Sequence, residues 1–245
     1  MSIRRLLIIA AAAGSMAVGA MAPVDAAVTT PPTVPPGCSG YTPNNPKLTL
    51  TVTPLVTTST HHITAAGTLK VGKCPIRNAT ISLKAKPLVN GVPTGSYVVV
   101  KQTTTNSQGA YSMSRVVFRN ARYLTYFRHA GGFSSVTSPT PRPDVLVHIR
   151  LSMATAKLSA CRIHFHGGTS PNKPGRTIKI QNRGPKGSFN GWKTLGTATT
   201  NSNGNYTKTL TLSCSKTYNL SGRIEGDSHN LFGRAKTIFG VKPTK

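Results

Sequence analysis

Few residues in this chain are able to do chemistry. Four acids stand against 30 Lys+Arg. General acid–base catalysis and glycoside hydrolysis need paired, positioned carboxylates, and only Glu225 and Asp227 lie close together, on either side of Gly226. At the end of a strand that pair reads as a hydrogen-bonded turn rather than a calcium site, since calcium takes about six to eight oxygens. His164 and His166 are two residues apart, so on a strand they share a face and could chelate a transition metal. A third ligand would have to come from His61, His62, His148 or a carboxylate. The preferred reading is a solvated sheet face titrating near the ordinary His pKa of about 6.5. No Gly-x-Ser-x-Gly elbow, P-loop or dinucleotide fingerprint occurs. The expectation is a protein that is not an enzyme, with no catalytic residue, metal or cofactor.

Cations carry the remaining chemistry. The formal net charge is +26, yet only 14% of residues are charged, so the imbalance comes from missing acids. Such a chain has few internal partners for its cations and projects a positive field that attracts polyanions. Solubility and loose retention at an anionic surface would account for the same charge. Lys84 and Lys86 stand at spacing two, on the face opposite Leu83, while Lys173, Arg176, Lys179, Arg183 and Lys186 crowd one later hairpin. Arg115, Arg119, Arg122 and Arg128 lie around the corresponding region of the first half. Rows of Lys and Arg on a sheet face track phosphate or sulfate groups. Tyr97, Tyr126, Phe189 and Trp192 are the aromatics nearby. Trp192 is either a sugar-stacking platform or a partly buried plug, and partial burial is preferred because Trp is highly buried on average.

The elements that must position these residues repeat. Thr105-Asn106-Ser107-Gln108-Gly109-Ala110-Tyr111 returns as Thr200-Asn201-Ser202-Asn203-Gly204-Asn205-Tyr206, 95 positions on. Around it the hydrophobic pattern alternates with period two, bounded by Gly, Pro and Asn. The strands expected are Leu48–Thr53, Ile63–Lys70, Thr80–Lys86, Tyr97–Thr103, Tyr111–Val117, Tyr123–His129 and Val145–Ile149. A second set follows near 152–157, 161–166, 176–181, 193–199, 206–213, 218–225 and 234–241. The repeated Asn-Ser-x-Gly reads as a hairpin turn between fourth and fifth strands. Ile63 and Gly67 correspond to Ile163 and Gly167, Thr80-Ile81 to Thr177-Ile178, and Tyr123, Arg128 and Gly131 to Tyr218, Arg223 and Gly226. Seven short strands per copy predict two tandem immunoglobulin-like β-sandwich domains, at 47–150 and 151–245, joined without a long connector as a semi-rigid rod.

Four cysteines allow three pairings. Cys161 alternates with Ile163 and Phe165, and Cys214 with Leu210 and Leu212, which puts each on the core face of its strand. In an immunoglobulin-like order these are the second and fifth strands, antiparallel neighbours whose ends bring Cys161 to Cys214. Cys38 is left for Cys74, at matching ends of the first two strands. Structural bridges fit better than metal thiolates, because no Cys-x-x-Cys spacing occurs.

Upstream, Arg4-Arg5, the apolar run Leu6–Ala13 and small residues thereafter make 1–26 a secretory signal peptide, cleaved after Ala22 or, preferably, Ala26. A Thr/Pro-rich linker or tail favouring polyproline II follows at 27–46. No later stretch is long and apolar enough for a membrane-spanning helix.

The order Gly67, Thr80-Ile81-Ser82-Leu83, Thr105–Tyr111, then Tyr123 to Gly131, with its second copy from Gly167 to Gly226, resembles the immunoglobulin-like repeat domains of exported actinobacterial proteins. The second copy adds Gly191-Trp192-x-x-Leu195. Most of 47–245 is covered. The resemblance implies spacers, adhesion modules or binding units with no shared catalytic residue. It leads to a secreted or cell-envelope-associated module whose basic faces bind an anionic envelope polymer, teichoic acid-like or a phosphorylated glycan, through Lys84, Lys86, Lys173, Arg176, Lys179, Arg183 and Lys186. The alternative is a protein-interaction or adhesion module with another surface protein as partner. Nucleic acid is a non-specific partner only.

Overall fold

The structure, a computed structural model, describes residues 30–140, 142–184 and 191–245. The expected signal peptide lies outside them. From Pro31 to Lys245 the chain is one compact unit. The first half contains β1 (Pro46–Leu48), β2 (Thr51–Thr53), β3 (Val56–Thr58), β4 (His62–Val71), β5 (Cys74–Pro75) and β6 (Thr80–Val89). It continues with β7 (Val92–Pro93), β8 (Val98–Thr104), β9 (Ala110–Val116), β10 (Ala121–Phe127), β11 (Val136–Thr137) and β12 (Asp144–His148). The second contains β13 (Arg150–Leu151), β14 (Ala154–Leu158), β15 (Arg162–Ser170), β16 (Thr177–Arg183) and β17 (Trp192–Thr199). Its last strands are β18 (Asn205–Thr211), β19 (Tyr218–Ile224), β20 (Gly233–Arg234) and β21 (Ile238–Val241).

Each half is a two-sheet sandwich. In the first, β1, β2, β5 and β9 pair around β4, and β3-β12-β10-β6 with β8 forms the facing sheet. In the second, β13, β14 and β18 pair with β15, facing β17-β16-β19-β20 with β21. The chain crosses from one sheet to the other several times in each half, at β3 to β4, β8 to β9 and β9 to β10 in the first and at β15 to β16, β17 to β18 and β18 to β19 in the second, and β3 runs parallel to β12; this is the immunoglobulin-like order. The period-two pattern buries Ile63, Ala65, Ile81, Leu83, Tyr123 and Phe127 in the first core, and Ile163, Phe165, Ile178, Ile180, Leu220 and Ile224 in the second.

Several expectations are corrected. The first strand of each copy is broken, at Thr49 and at Ser152, whose hydroxyls accept the Thr68 and Gly168 amides at 2.8 and 2.9 Å in place of a regular ladder bond. β3 escaped notice because it is three residues long and pairs only after the chain changes sheets. The Asn-Ser-x-Gly phrase is not a hairpin: β8 pairs with β6 and β9 with β4, so the turn crosses between sheets. The Asn106 side chain accepts the Gln108 and Ala110 amides, and Asn201 those of Asn203 and Asn205. Gly109 and Gly204 take φ of 70° and 73°, which the turn requires and glycine adopts without strain. The Thr105 hydroxyl accepts the Ala79 amide and donates to the Ile76 carbonyl, and Thr200 does the same with Arg176 and Lys173. The repeated phrase is therefore a corner brace.

Tyr111 and Tyr206 close that brace. Their hydroxyls reach over the neighbouring strand, β4 or β15, and donate to the Thr49 and Ser152 carbonyls in the same sheet. Each lies opposite a glycine, Gly67 or Gly167. A methyl group at Gly67 would fall on the Thr49 carbonyl and within 2.6 Å of the Tyr111 hydroxyl. Burial pushes the Tyr111 phenol up to about 12, with a bond to Thr125 working weakly against it.

Cys38 is bonded to Cys74 and Cys161 to Cys214. Cys161 and Cys214 occupy turns at the sandwich end, half-buried, rather than core-facing strand positions; Cys161 has a φ of 58°. The Thr/Pro-rich stretch is docked on the first half from Thr33 onward. Thr33 exchanges backbone hydrogen bonds with Arg77, Val34 and Tyr41 pack on the first core, and β1 begins at Pro46.

Between the halves only Ile149 separates β12 from β13, and it is buried. The 225–232 loop reaches back across this joint. The Leu231 amide donates to the Val147 carbonyl and the Ile149 amide to the Leu231 carbonyl. Asn230, 2% exposed, donates through its side chain to the Phe118 and Val147 carbonyls.

Candidate anion-binding face

The basic residues singled out in the second half do not share one place. Lys173 sits under the joint: its ammonium meets the Asp227 carboxylate at 2.6 Å and the Asn230 side-chain oxygen at 2.9 Å, with both ionic side chains about 15% exposed. Asp227 also accepts the His229 and Asn230 amides. Burial alone would raise its pKa; Lys173 and those amides outweigh it and hold the carboxyl low. Arg176 clamps the same loop by donating to the Glu225 and Gly226 carbonyls. Both expected contacts thus have partners within the fold. Lys186 and Phe189 lie outside the described residues.

Lys179 and Arg183 remain, and the sheet brings to them residues that sequence reasoning missed. On β16 the buried Ile178 and Ile180 fix Lys179, Gln181 and Arg183 on the outer face. Register places Lys179 opposite Arg223 on β19, and Arg223 opposite Arg234 on β20. Three cations thus stand abreast on three neighbouring strands. Glu225 accepts Lys179 at 3.1 Å and Arg223 at 3.2 Å. The Lys179 bond is the main cause lowering the Glu225 pKa; Arg223 adds to it against slight burial. The Arg234 guanidinium lies 4.2 Å from the Trp192 ring centre and donates to the Gln181 side chain, while Arg183 lies 6.0 Å from the same ring. Burial lowers the Arg234 pKa, and the charge of Arg223 lowers it further. Trp192 is half-buried on the outer face, as a platform for Arg234 rather than a core plug.

Register also explains the oversight. Ile81 pairs with Phe127 and Ile178 with Ile224, so Arg223 matches Tyr126 and not Arg128, and Leu220, not Tyr218, matches Tyr123. The signal was present, since Arg223 alternates with Leu220, Gly222 and Ile224, but the tyrosine match hid it.

The first half answers with a different face. Lys84 lies 4.1 Å from the Tyr126 ring centre; Lys86 and Arg142 approach Tyr97 at 5.7 and 5.3 Å. Arg122 forms a two-pronged pair with Asp144 at 2.6 and 2.8 Å. Where the second half pairs Lys179 with Arg223, the first pairs Ser82 with Tyr126.

The His164 and His166 rings stack at 5.7 Å, and His164 bonds Thr209. No group of three potential metal ligands occurs among the described residues. No helix among them is long and apolar enough to cross a membrane.

No protein-family model matches the chain, and no curated protein matches it in sequence. Solved structures do. A tetra-tandem repeat in the extending region of a large adhesion protein is 15% identical at a TM-score of 0.32, over 80% of this chain and 50% of that one. A marsupial T cell receptor is 10% identical at 0.33, over 82% and 73%. The Yersinia pseudotuberculosis adhesin InvE is 13% identical at 0.30, over 82% and 60%. The chain spans about half the length of the adhesion-protein structure. Strand order and register, not these likenesses, define the fold.

Proposed function

We propose that the protein is an exported, non-enzymatic binding module of the cell envelope or its surroundings, whose outer sheet faces bind an anionic polymer. One observation carries this reading: Asp144, Glu225 and Asp227 are each engaged in an ion pair, with Arg122, with Lys179 and Arg223, and with Lys173. No side-chain carboxylate among the described residues is left to neutralise the other cations. Lys84 and Lys86 on the first face, with Lys179, Arg183, Arg223 and Arg234 on the second, are the contacts; Lys173 and Arg176 support the loop behind them. The two disulfides fit an oxidising compartment.

The test is salt-graded retention of the oxidised protein on an immobilised phosphate-bearing glycan, on DNA and on a neutral glycan. Retention on the phosphate-bearing glycan should be tightest and fall steeply with salt, with K84Q/K86Q and K179Q/R183Q each reducing the slope. Equal weak retention on every polyanion, unmoved by these changes, makes the charge generic and overturns a specific face.

A second reading, docking of a protein partner, is favoured by one feature. Val98 and Val99 on β8 are 55% and 53% exposed beside a groove of about 240 Å³ lined by Val100, Val117, Phe118 and Tyr123. Arg115 and Arg119 flank the groove, so its occupant would be an apolar segment bearing acids. Binding to one protein that ignores salt and is lost in V98D would select this reading.

A further inference from the structure

The row Lys179–Arg223–Arg234 is more particular than a basic surface. Like charges directly opposite one another on neighbouring strands repel, and here two such oppositions follow across three strands. Glu225 alone offsets them, which leaves two positive charges in excess. Neighbouring strands lie about 4.8 Å apart, so the three long side chains on one row are able to reach a single small ion with several acceptor oxygens. Two guanidinium forks suit a tetrahedral oxyanion better than a point charge would. The row sits on a framework that does not give way: Arg234 is held by the Trp192 ring and the Gln181 side chain, and Gln181 is itself 6% exposed.

We propose that Lys179, Arg223 and Arg234 form a subsite for a dianionic phosphate ester, and that the first half lacks it. A dianion balances the local excess, whereas a phosphodiester leaves one charge over. Ser82 and Tyr126 hold the equivalent register pair in the first half, so the two copies are not interchangeable. This rests on the second outer face being an anion-binding surface, and it names the group that the face takes.

The chain has one tryptophan, and Arg234 lies on it. A ligand that draws Arg234 aside changes the indole environment, so Trp192 fluorescence reports on this subsite. The oxidised protein is titrated with inorganic phosphate, a hexose 6-phosphate, sulfate and a phosphodiester polymer. A saturable change with phosphate and the hexose phosphate, weaker with the diester, is expected. Tighter binding of the sugar ester than of phosphate assigns the site to a phosphorylated glycan; equal binding assigns it to the phosphate group itself. R223Q and R234Q should each weaken binding at least about tenfold, R223K should weaken it less, and K157Q, on the other sheet, should leave it unchanged. Calorimetry repeats the comparison for R234Q, whose baseline fluorescence differs. If the fluorescence does not respond, or R223Q binds as the parent does, while salt-graded retention on the polymer persists, the subsite is overturned and the anion-binding face stands. If retention is lost as well, both readings fail.

Discussion

Asp227 shows how one carboxylate can decide whether a cation binds a ligand or supports the fold. It takes Lys173 out of the surface and turns it into a strut beneath the 225–232 loop. Its pKa is depressed in the folded state, so its contribution is complete above the ordinary carboxylate value of about 4 and is lost as pH falls through the lower folded value. D227N leaves the Lys173 ammonium partly buried and unpaired, at a cost of about 3 kcal/mol. Thermal melts should show the variant well below the parent at pH 7, with the gap closing in strong acid. Gly67 answers to space rather than charge. G67A drives a methyl group onto the Thr49 carbonyl, and G167A does the same at Ser152. Each should lose about 3 kcal/mol in denaturant titration, whereas alanine at the open Gly191 should cost little.

Among the elements, the two disulfides close stretches of 36 and 53 residues. Chain entropy makes the second bridge stronger by only about 0.3 kcal/mol, so C38S/C74S and C161S/C214S should lower stability by nearly equal amounts, about 2–4 kcal/mol each. N106A and N201A should each cost about 1 kcal/mol, because each removes a side-chain oxygen that accepts two backbone amides in a corner brace.

Much of this level was legible. Alternation located the longer strands from β4 onward to within a few residues, since each core face is apolar and each outer face polar; the two-residue strands β5, β7, β11 and β13 are too short to carry a period, and the stretch expected at 234–241 divides into β20 and β21. The cysteine pairing followed from which strand ends meet. The breaks at Thr49 and Ser152 were hidden, because a hydroxyl that replaces a ladder bond leaves no mark on a period-two pattern. The cation row was hidden for another reason: charges on β16, β19 and β20 become neighbours only once register is known, and matching Tyr218 to Tyr123 slipped β19 by two residues, which keeps the alternation intact and so leaves the error invisible.

For the whole molecule, the joint at Ile149 governs behaviour. With Asn230 bonded to Phe118 and Val147 across it, the two sandwiches should melt in a single transition. N230A removes those bonds and the Lys173 acceptor, and calorimetry should then resolve two transitions. A single unchanged transition in N230A would mean that the Leu231 backbone bonds suffice to couple the halves.

Those backbone bonds bear on tension. His148 and Leu231 lie side by side as a parallel bridge, so a pull that separates the sandwiches drags the two segments past one another. The Leu231–Val147 and Ile149–Leu231 bonds then carry the load together, in shear, instead of opening one at a time. Chain that elsewhere would be a slack hinge is thus a mechanical clamp, and a module anchored at one end would keep presenting its charged faces while the other end is pulled.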